Sequence, residues 1–241
     1  MSDKVFFKNK KGEKLVGLID HVSFDKVVIG LHGFESSKEM NLRRKLVSSK
    51  MVKAGYSFFV FDFAGCGESD GDFKKTSVKS RSQDFKSALK FLKSKGYKNF
   101  AVIGFSMGGA VAIHAWSKSV KTMALVVPLT QPKSMFEALK HPDNIIELLE
   151  KKAFEFTKTK VFRDELGTLD LDNKIGKITS PTLLVQAKHD TLVYKRDTKK
   201  TYELLNCKKK YFEVRGTHFL LFPFSFDKVL NQIVVWFAKY F

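Results

Sequence analysis

Short apolar runs alternate along this chain with longer segments in which apolar residues recur every three or four positions and charged residues fill the gaps. The short runs fall at Val5 to Lys8, Lys14 to Asp20, Lys26 to Leu31, Ser57 to Phe61, Asn99 to Ile103, Thr122 to Val127, Thr182 to Ala187 and Lys209 to Val214, and each is expected to be a strand. Several interior runs are continuously apolar, as strands covered by helices on both faces must be. Helices are expected over Glu39 to Ala54, Val78 to Lys95, Met107 to Ser117, Tyr194 to Leu205 and Phe226 to Phe241. In the second of these, Ser82, Phe85, Ala88, Leu89 and Leu92 share one face with lysines opposite, and Gly96 supplies a stop. The alternation implies an α/β sheet, largely parallel after a first hairpin that turns at Asn9-Lys10-Lys11-Gly12.

Between Leu129 and Ile178 the alternation breaks. A helical pattern runs from Asp143 to Phe156, and Thr157-Lys158-Thr159-Lys160-Val161-Phe162 then reads as a short strand or hairpin arm. An insertion after the sixth strand is expected to lie over the carboxyl ends of the strands, where open sheets bind ligands. Residues 129–178 are therefore expected to form a small cap between two parts of one core, 1–128 and 179–241. Phe136, Leu139, Ile145, Ile146, Leu149, Phe154 and Phe156 suit the wall of an acyl pocket and, equally, simple packing of the insertion onto the body.

A chain of 241 residues can bury one large core without a metal or a disulfide. Cys66 and Cys207 lie far apart and have no metal-ligand spacing, so free thiols in a reducing compartment are expected. With no apolar leader and no run long enough to cross a membrane, a cytoplasmic location is expected. The formal charge of +18, from 43 basic and 25 acidic residues, is spread along the whole chain, with many of the lysines at the polar positions of expected surface helices. No basic arm, zinc-finger spacing or aromatic-basic signature accompanies it, so specific nucleic-acid binding is not expected. Long-range attraction of anionic substrates, or weak association with an anionic surface, remains compatible with such a charge. Oligomeric state is left open.

The chemistry concentrates in Gly104-Phe105-Ser106-Met107-Gly108. An apolar run precedes it and Ala110-Val111-Ala112-Ile113 follows, so Ser106 is expected on a sharp strand-to-helix turn, with Gly104 and Gly108 small because strand and helix pass closely there. A serine hydroxyl needs a histidine to take its proton and an acid to orient that histidine. Asp190 and His218 each follow a strand within a few residues, in the order serine, acid, histidine. His189 adjoins Asp190, but adjacent side chains at a strand end point apart, which argues against it as the base. Negative charge on a tetrahedral intermediate calls for backbone donors. The N–H of Met107, at a helix start, and that of Phe34, in Leu31-His32-Gly33-Phe34-Glu35, are expected to form the oxyanion hole, with His32 stabilising the loop.

These elements together resemble the α/β-hydrolase superfamily. The resemblance spans the His32-Gly33-Phe34 loop, Asp62-Phe63-Ala64-Gly65-Cys66-Gly67-Glu68-Ser69, Gly104 to Gly109, His189 to Val193, and Gly216-Thr217-His218-Phe219. It implies an eight-stranded, mostly parallel sheet flanked by helices, and carries over Ser106 as nucleophile, Asp190 as acid, His218 as base, and Phe34 and Met107 as oxyanion-hole donors. Within the superfamily the chain looks most like small bacterial carboxylesterases related to cinnamoyl and feruloyl esterases, with monoacylglycerol-lipase-like and peptidase-like members as neighbours. Cys66 stands where relatives commonly have histidine. The implied function is hydrolysis of small acyl esters, short-to-medium or hydroxycinnamoyl, through an acyl-enzyme that needs no metal or organic cofactor. An amidase or peptidase, a lipase-like enzyme and a noncatalytic binding protein are the alternatives.

Overall fold

The first two strands, β1 (Asp3–Lys8) and β2 (Lys14–Asp20), form the expected antiparallel hairpin in the computed structural model, which describes residues 2–40, 43–140 and 159–241. Gly12 has a φ of 82°, open to glycine at no steric penalty, and the Asn9 side chain accepts the Lys11 and Glu13 amides, at 2.9 and 3.1 Å. The remaining strands are β3 (Lys26–Leu31), β4 (Ser57–Phe61), β5 (Asn99–Phe105), β6 (Val120–Val126), β7 (Thr182–Ala187) and β8 (Lys209–Val214). Their order across the single sheet is β1-β2-β4-β3-β5-β6-β7-β8. Strand β2 also runs antiparallel to β4, and from β4 to β8 every pairing is parallel.

Both faces are covered, and the strands divide their residues between two cores. Val27, Ile29, Phe59, Phe61, Phe100 and Val102 point into one core, while Val28, Phe58, Val60, Ala101 and Ile103 point into the other. The first core is closed by α2 (Val78–Ser94) and α3 (Met107–His114), the second by α1 (Arg44–Lys53) and α8 (Ser225–Tyr240). Helix α2 starts in a capping box, with the Ser77 and Ser80 side chains each accepting the other's backbone N–H. It stops at Gly96, whose φ is 93°.

Between β6 and β7 the chain forms α4 (Pro132–Lys140), α5 (Lys160–Thr168) and α6 (Asp172–Ile175); α7 (Lys195–Leu204) follows β7. The expected strand or hairpin arm at Thr157 to Phe162 is corrected where it is described: Thr159 precedes a helix that begins at Lys160. Phe162, Glu165 and Leu166, spaced by three and four, supply one buried helical face, which outweighs the local β-branched alternation. The pattern at Asp143 to Phe156, with Ile145, Ile146, Leu149, Phe154 and Phe156, lies outside the described residues, as does the side chain of Leu139.

Two helices fall short of the expected ranges by more than the residue at either end that separates the others. The segment from Glu39 enters α1 only at Arg44, because Met40 turns the chain with a φ of 50°. Helix α3 ends at His114, and the Trp116 indole donates instead to Ser180 Oγ at 2.9 Å. Among the described residues no helix is long and apolar enough to cross a membrane.

Candidate active site

Strand β5 delivers Ser106 to the carboxyl edge of the sheet, where α3 begins at the next residue. Ser106 has φ 51° and ψ −116°, a conformation that costs a non-glycine residue of order 1–3 kcal/mol and lifts its side chain clear of the turn. A Cβ at Gly104 would stand 2.8 Å from the Gly108 carbonyl oxygen, and one at Gly108 only 2.1 Å from that of Leu31. The two glycines let helix, strand and the loop after β3 meet. The Ser106 carbonyl in turn accepts the amides of Gly109 at 2.9 Å and Leu129 at 3.0 Å, tying the turn to the chain leaving β6.

Asp190 and His218 come to the same edge from the loops after β7 and β8. His218 Nε2 lies 3.0 Å from Ser106 Oγ, and His218 Nδ1 lies 2.8 Å from Asp190 Oδ2. The other carboxylate oxygen, Oδ1, accepts the amides of Leu192 at 3.0 Å and Val193 at 2.8 Å. Those two donors lock the carboxylate so that only Oδ2 faces the imidazole. Both side chains are screened from water, with 2% and 0% of their surfaces exposed, so their attraction acts in a low-dielectric setting. His189, beside Asp190, is exposed and is not part of this chain of bonds.

The loop after β3 packs on the serine turn. A Cβ at Gly33 would be 3.4 Å from the Phe105 ring and 3.5 Å from Ser106 Cβ, so the Gly33–Phe34 peptide borders the hydroxyl. Two donors converge on the carbonyl of that peptide: His32 Nδ1 at 2.9 Å and Arg81 Nη1 at 2.9 Å. Burial, then the charges of Arg81 and Lys38, hold the His32 pKa down at about 3, so its imidazole is neutral at ordinary pH. Its place in the loop is the structural one expected.

Arg81 is a residue that the sequence reading passed over. It is fully buried in the first turn of α2, and its three hydrogen-bond partners are neutral: the Gly33 carbonyl, Thr76 Oγ1 at 3.1 Å and Cys66 Sγ at 3.3 Å. The guanidinium also lies over the rings of Phe63 and Phe34, 5.0 and 5.9 Å from their centroids. A signal was available, since Arg81 shares the apolar stripe of Phe85, Ala88 and Leu92 at helical spacing. Burial also raises the Cys66 thiol pKa, which keeps it protonated and unreactive.

The Asp62 to Ser69 segment braces the same loop. Buried Asp62 accepts the Lys38 amide and ammonium, both at 2.7 Å, and the Glu68 amide at 2.9 Å. Gly67, with φ 51°, passes so close that a Cβ would fall 2.3 Å from Asp62 Oδ2. On its other side Phe34 stacks against Phe162 of α5, with centroids 4.5 Å apart and planes inclined by 19°.

A family model described as serine aminopeptidase, S33, matches residues 23–162, more than half the chain. The chain belongs to this family. The match takes in the loop after β3 and the Ser106 turn, and stops short of Asp190 and His218. A carboxylesterase of Bacillus subtilis is 24% identical over 186 residues, covering 70% of this chain and 74% of that protein. Among solved structures, an esterase of Pyrococcus furiosus is 24% identical with a TM-score of 0.81, spanning 100% of this chain and 93% of the other. The Butyrivibrio proteoclasticus protein Est1E, solved with ferulic acid bound, is 18% identical with a TM-score of 0.80, spanning 98% of this chain and 100% of the other. The fold of this S33-family chain is that of the α/β-hydrolases, with an antiparallel edge on an otherwise parallel sheet.

Proposed function

We propose that the protein is a carboxylic ester hydrolase that works through an acyl-enzyme on Ser106. The observation that carries this reading is the chain of hydrogen bonds from Ser106 Oγ to His218 Nε2, 3.0 Å, and from His218 Nδ1 to Asp190 Oδ2, 2.8 Å, on a strained strand-to-helix turn. Family membership and the description of the Bacillus relative as a carboxylesterase support it.

In this mechanism the ester carbonyl oxygen takes the N–H groups of Phe34 and Met107. The Met107 amide sits at the first position of α3, where it has no acceptor within its own helix. His218 Nε2 removes the Ser106 proton as Oγ attacks, then returns it to the departing alcohol. Water enters, gives a proton to the same nitrogen and attacks the acyl carbonyl, and the proton passes back to Ser106 Oγ as the acid leaves. Asp190 stabilises the imidazolium formed at each attack and keeps Nδ1 protonated.

A pocket of about 200 Å³ opens beside the serine turn, between the loops after β3 and β8. Its volume lies below the roughly 300–1,000 Å³ usual for drug-sized ligands, which favours short or medium chains there. The ferulic acid held by Est1E supports hydroxycinnamoyl esters as a second substrate type. The stacking of Phe162 on Phe34 supports residues 129–178 as a cap over the other side of the site. A second reading, cleavage of amides or peptides by the same residues, is favoured by the aminopeptidase description of the family.

Time-resolved hydrolysis of matched short-chain, long-chain and hydroxycinnamoyl esters and their amides tests both. Ester turnover that disappears in Ser106→Ala is the expected result. Amide turnover alone selects the second reading. No turnover of any kind, together with no labelling of folded protein by a serine-reactive phosphonate, overturns both in favour of a binding role.

A further inference from the structure

The pocket beside Ser106 is apolar on most of its walls, among them Met40, Phe105, Leu221 and Phe226, yet one wall is the guanidinium of Arg43. That group donates to the Phe219 carbonyl at 2.7 Å and lies over the Phe226 ring, 4.4 Å from its centroid. Both partners are neutral and together occupy only part of a five-donor fork. Burial depresses the Arg43 pKa, and among the described residues no carboxylate opposes that effect. The neighbouring Arg44, by contrast, pairs with Glu39 and Asp20 at 3.2 and 3.6 Å. A half-buried cation with no acid beside it among the described residues, in an apolar pocket that borders the Ser106 turn, suits an anion.

We propose that this pocket receives a carboxylate at the end of a short chain on the substrate, and that Arg43 selects it. The inference rests on the ester-hydrolase reading and names its substrate class: esters that carry a second, free carboxylate. A single guanidinium, with His32 the other titratable group on the wall and neutral, matches one negative charge better than a phosphate dianion. The pocket volume of about 200 Å³ matches a short chain. The net charge of +18 adds long-range attraction for the same substrates.

The test compares wild type, Arg43→Gln and Arg43→Lys on matched ester pairs. In one arm a butyrate ester is set against the corresponding succinate hemiester, which places the carboxylate on the acyl side. In the other, butyrates of a neutral alcohol and of a carboxylate-bearing alcohol are compared. In one of the two arms the ratio of kcat/KM for the anionic ester to that for the neutral one should fall about tenfold in Arg43→Gln and recover in Arg43→Lys, as expected for one charge-assisted hydrogen bond. The same ratio in all three proteins, in both arms, overturns the proposal. Calorimetric binding to Ser106→Ala, with and without Arg43→Gln, of the amide analogue of whichever anionic ester shows the preference, succinate monoanilide for the acyl arm, gives a readout that needs no turnover. Affinity weakened about tenfold by the Gln change supports the carboxylate site, and undiminished or undetectable binding overturns it. Loss of the ester reading itself registers separately, as wild type that turns over no neutral ester.

Discussion

Replacing Arg81 by methionine keeps a long unbranched side chain in α2 and deletes the charged donor to the Gly33 carbonyl. The peptide that bears this carbonyl is planar and also bears the Phe34 N–H, so whatever fixes one end fixes the other. In the wild type a guanidinium and a neutral imidazole, each at 2.9 Å, hold and polarise the carbonyl; in Arg81→Met only His32 remains. Deleting an oxyanion donor outright lowers kcat by about 10²–10³-fold in well-studied hydrolases. Arg81 acts one peptide away and leaves the donor in place, so the expected fall in kcat is roughly tenfold to a hundredfold, about 1.4–2.7 kcal/mol of transition-state stabilisation. Stability should move far less. Three hydrogen bonds from a charged donor, each worth about 1.5–3 kcal/mol, disappear, but a burial penalty of several kcal/mol for an unpaired charge disappears with them and offsets much of that loss. The assay is steady-state hydrolysis of a neutral short-chain ester alongside inhibition by a boronic acid that mimics the tetrahedral adduct. The expected result is lower kcat with KM little changed, affinity for the boronate falling in step with kcat, and partial rescue by Arg81→Lys. A rise in KM at constant kcat, or unaltered boronate affinity, would refute the reasoning and leave Arg81 as a packing residue.

Asp190→Asn should fold but lose about 10³–10⁴-fold in kcat. The amides of Leu192 and Val193 require an acceptor at the Oδ1 position, so the new NH₂ must face His218 Nδ1 and force the ring proton onto Nε2, where it points at Ser106 Oγ and leaves no base to accept the serine proton; activity within tenfold of wild type would show that the imidazole is not held this way. Gly108→Ala puts a Cβ 2.1 Å from a backbone oxygen that cannot swing aside, and should destabilise by about 3 kcal/mol or more, lowering the melting temperature by roughly 10 °C; an unchanged melting curve would contradict the close approach. His32, with its folded pKa at about 3 against the ordinary 6.5 of a histidine, binds no proton in the folded state at mild acidity while the unfolded chain does. Its contribution is therefore complete above pH 6.5 and drains away as the pH falls toward 3, amounting to about 2 kcal/mol between pH 7 and 5. Urea unfolding of wild type and His32→Asn at both pH values checks this: the wild type should lose that much more than the variant, and parallel losses would count against it.

Much of this site was legible because its chemistry lies in side chains a few residues beyond strand ends. Ser106, Asp190 and His218 follow β5, β7 and β8 directly, so a correct reading of the strands almost locates them. What escaped was anything decided by long-range packing. Arg81 is one of 43 basic residues with little beyond its helical spacing to set it apart, and Glu165 lies in the insertion just beyond the segment read as a strand arm. Backbone strain was equally hidden. Among the described residues other than glycine, positive φ values occur at Glu35, Met40, Ser106, Val127, Leu220 and Phe224, all on loops that follow β3, β5, β6 or β8, and only Ser106 sits in a motif that announces it.

The two residues that were missed meet on one turn of helix. The Glu165 carboxylate, carried by α5, accepts the amides of Val78 and Lys79 at 2.5 and 3.0 Å and so caps the start of α2. Arg81, one turn further in, donates to the Gly33 carbonyl, and Phe162 of α5 stacks on Phe34. Helix α5 thus touches the proposed oxyanion peptide by two routes, directly through the aromatic pair and indirectly through the first turn of α2. A displacement of α5 that broke the Glu165 cap would leave the amides of Val78 and Lys79 without their acceptor and loosen the anchor of Arg81 together with them. On the proposed role of the Phe34 N–H, α5 helps to set the donor geometry, and changes in its docking should register in kcat even where no substrate contact is altered.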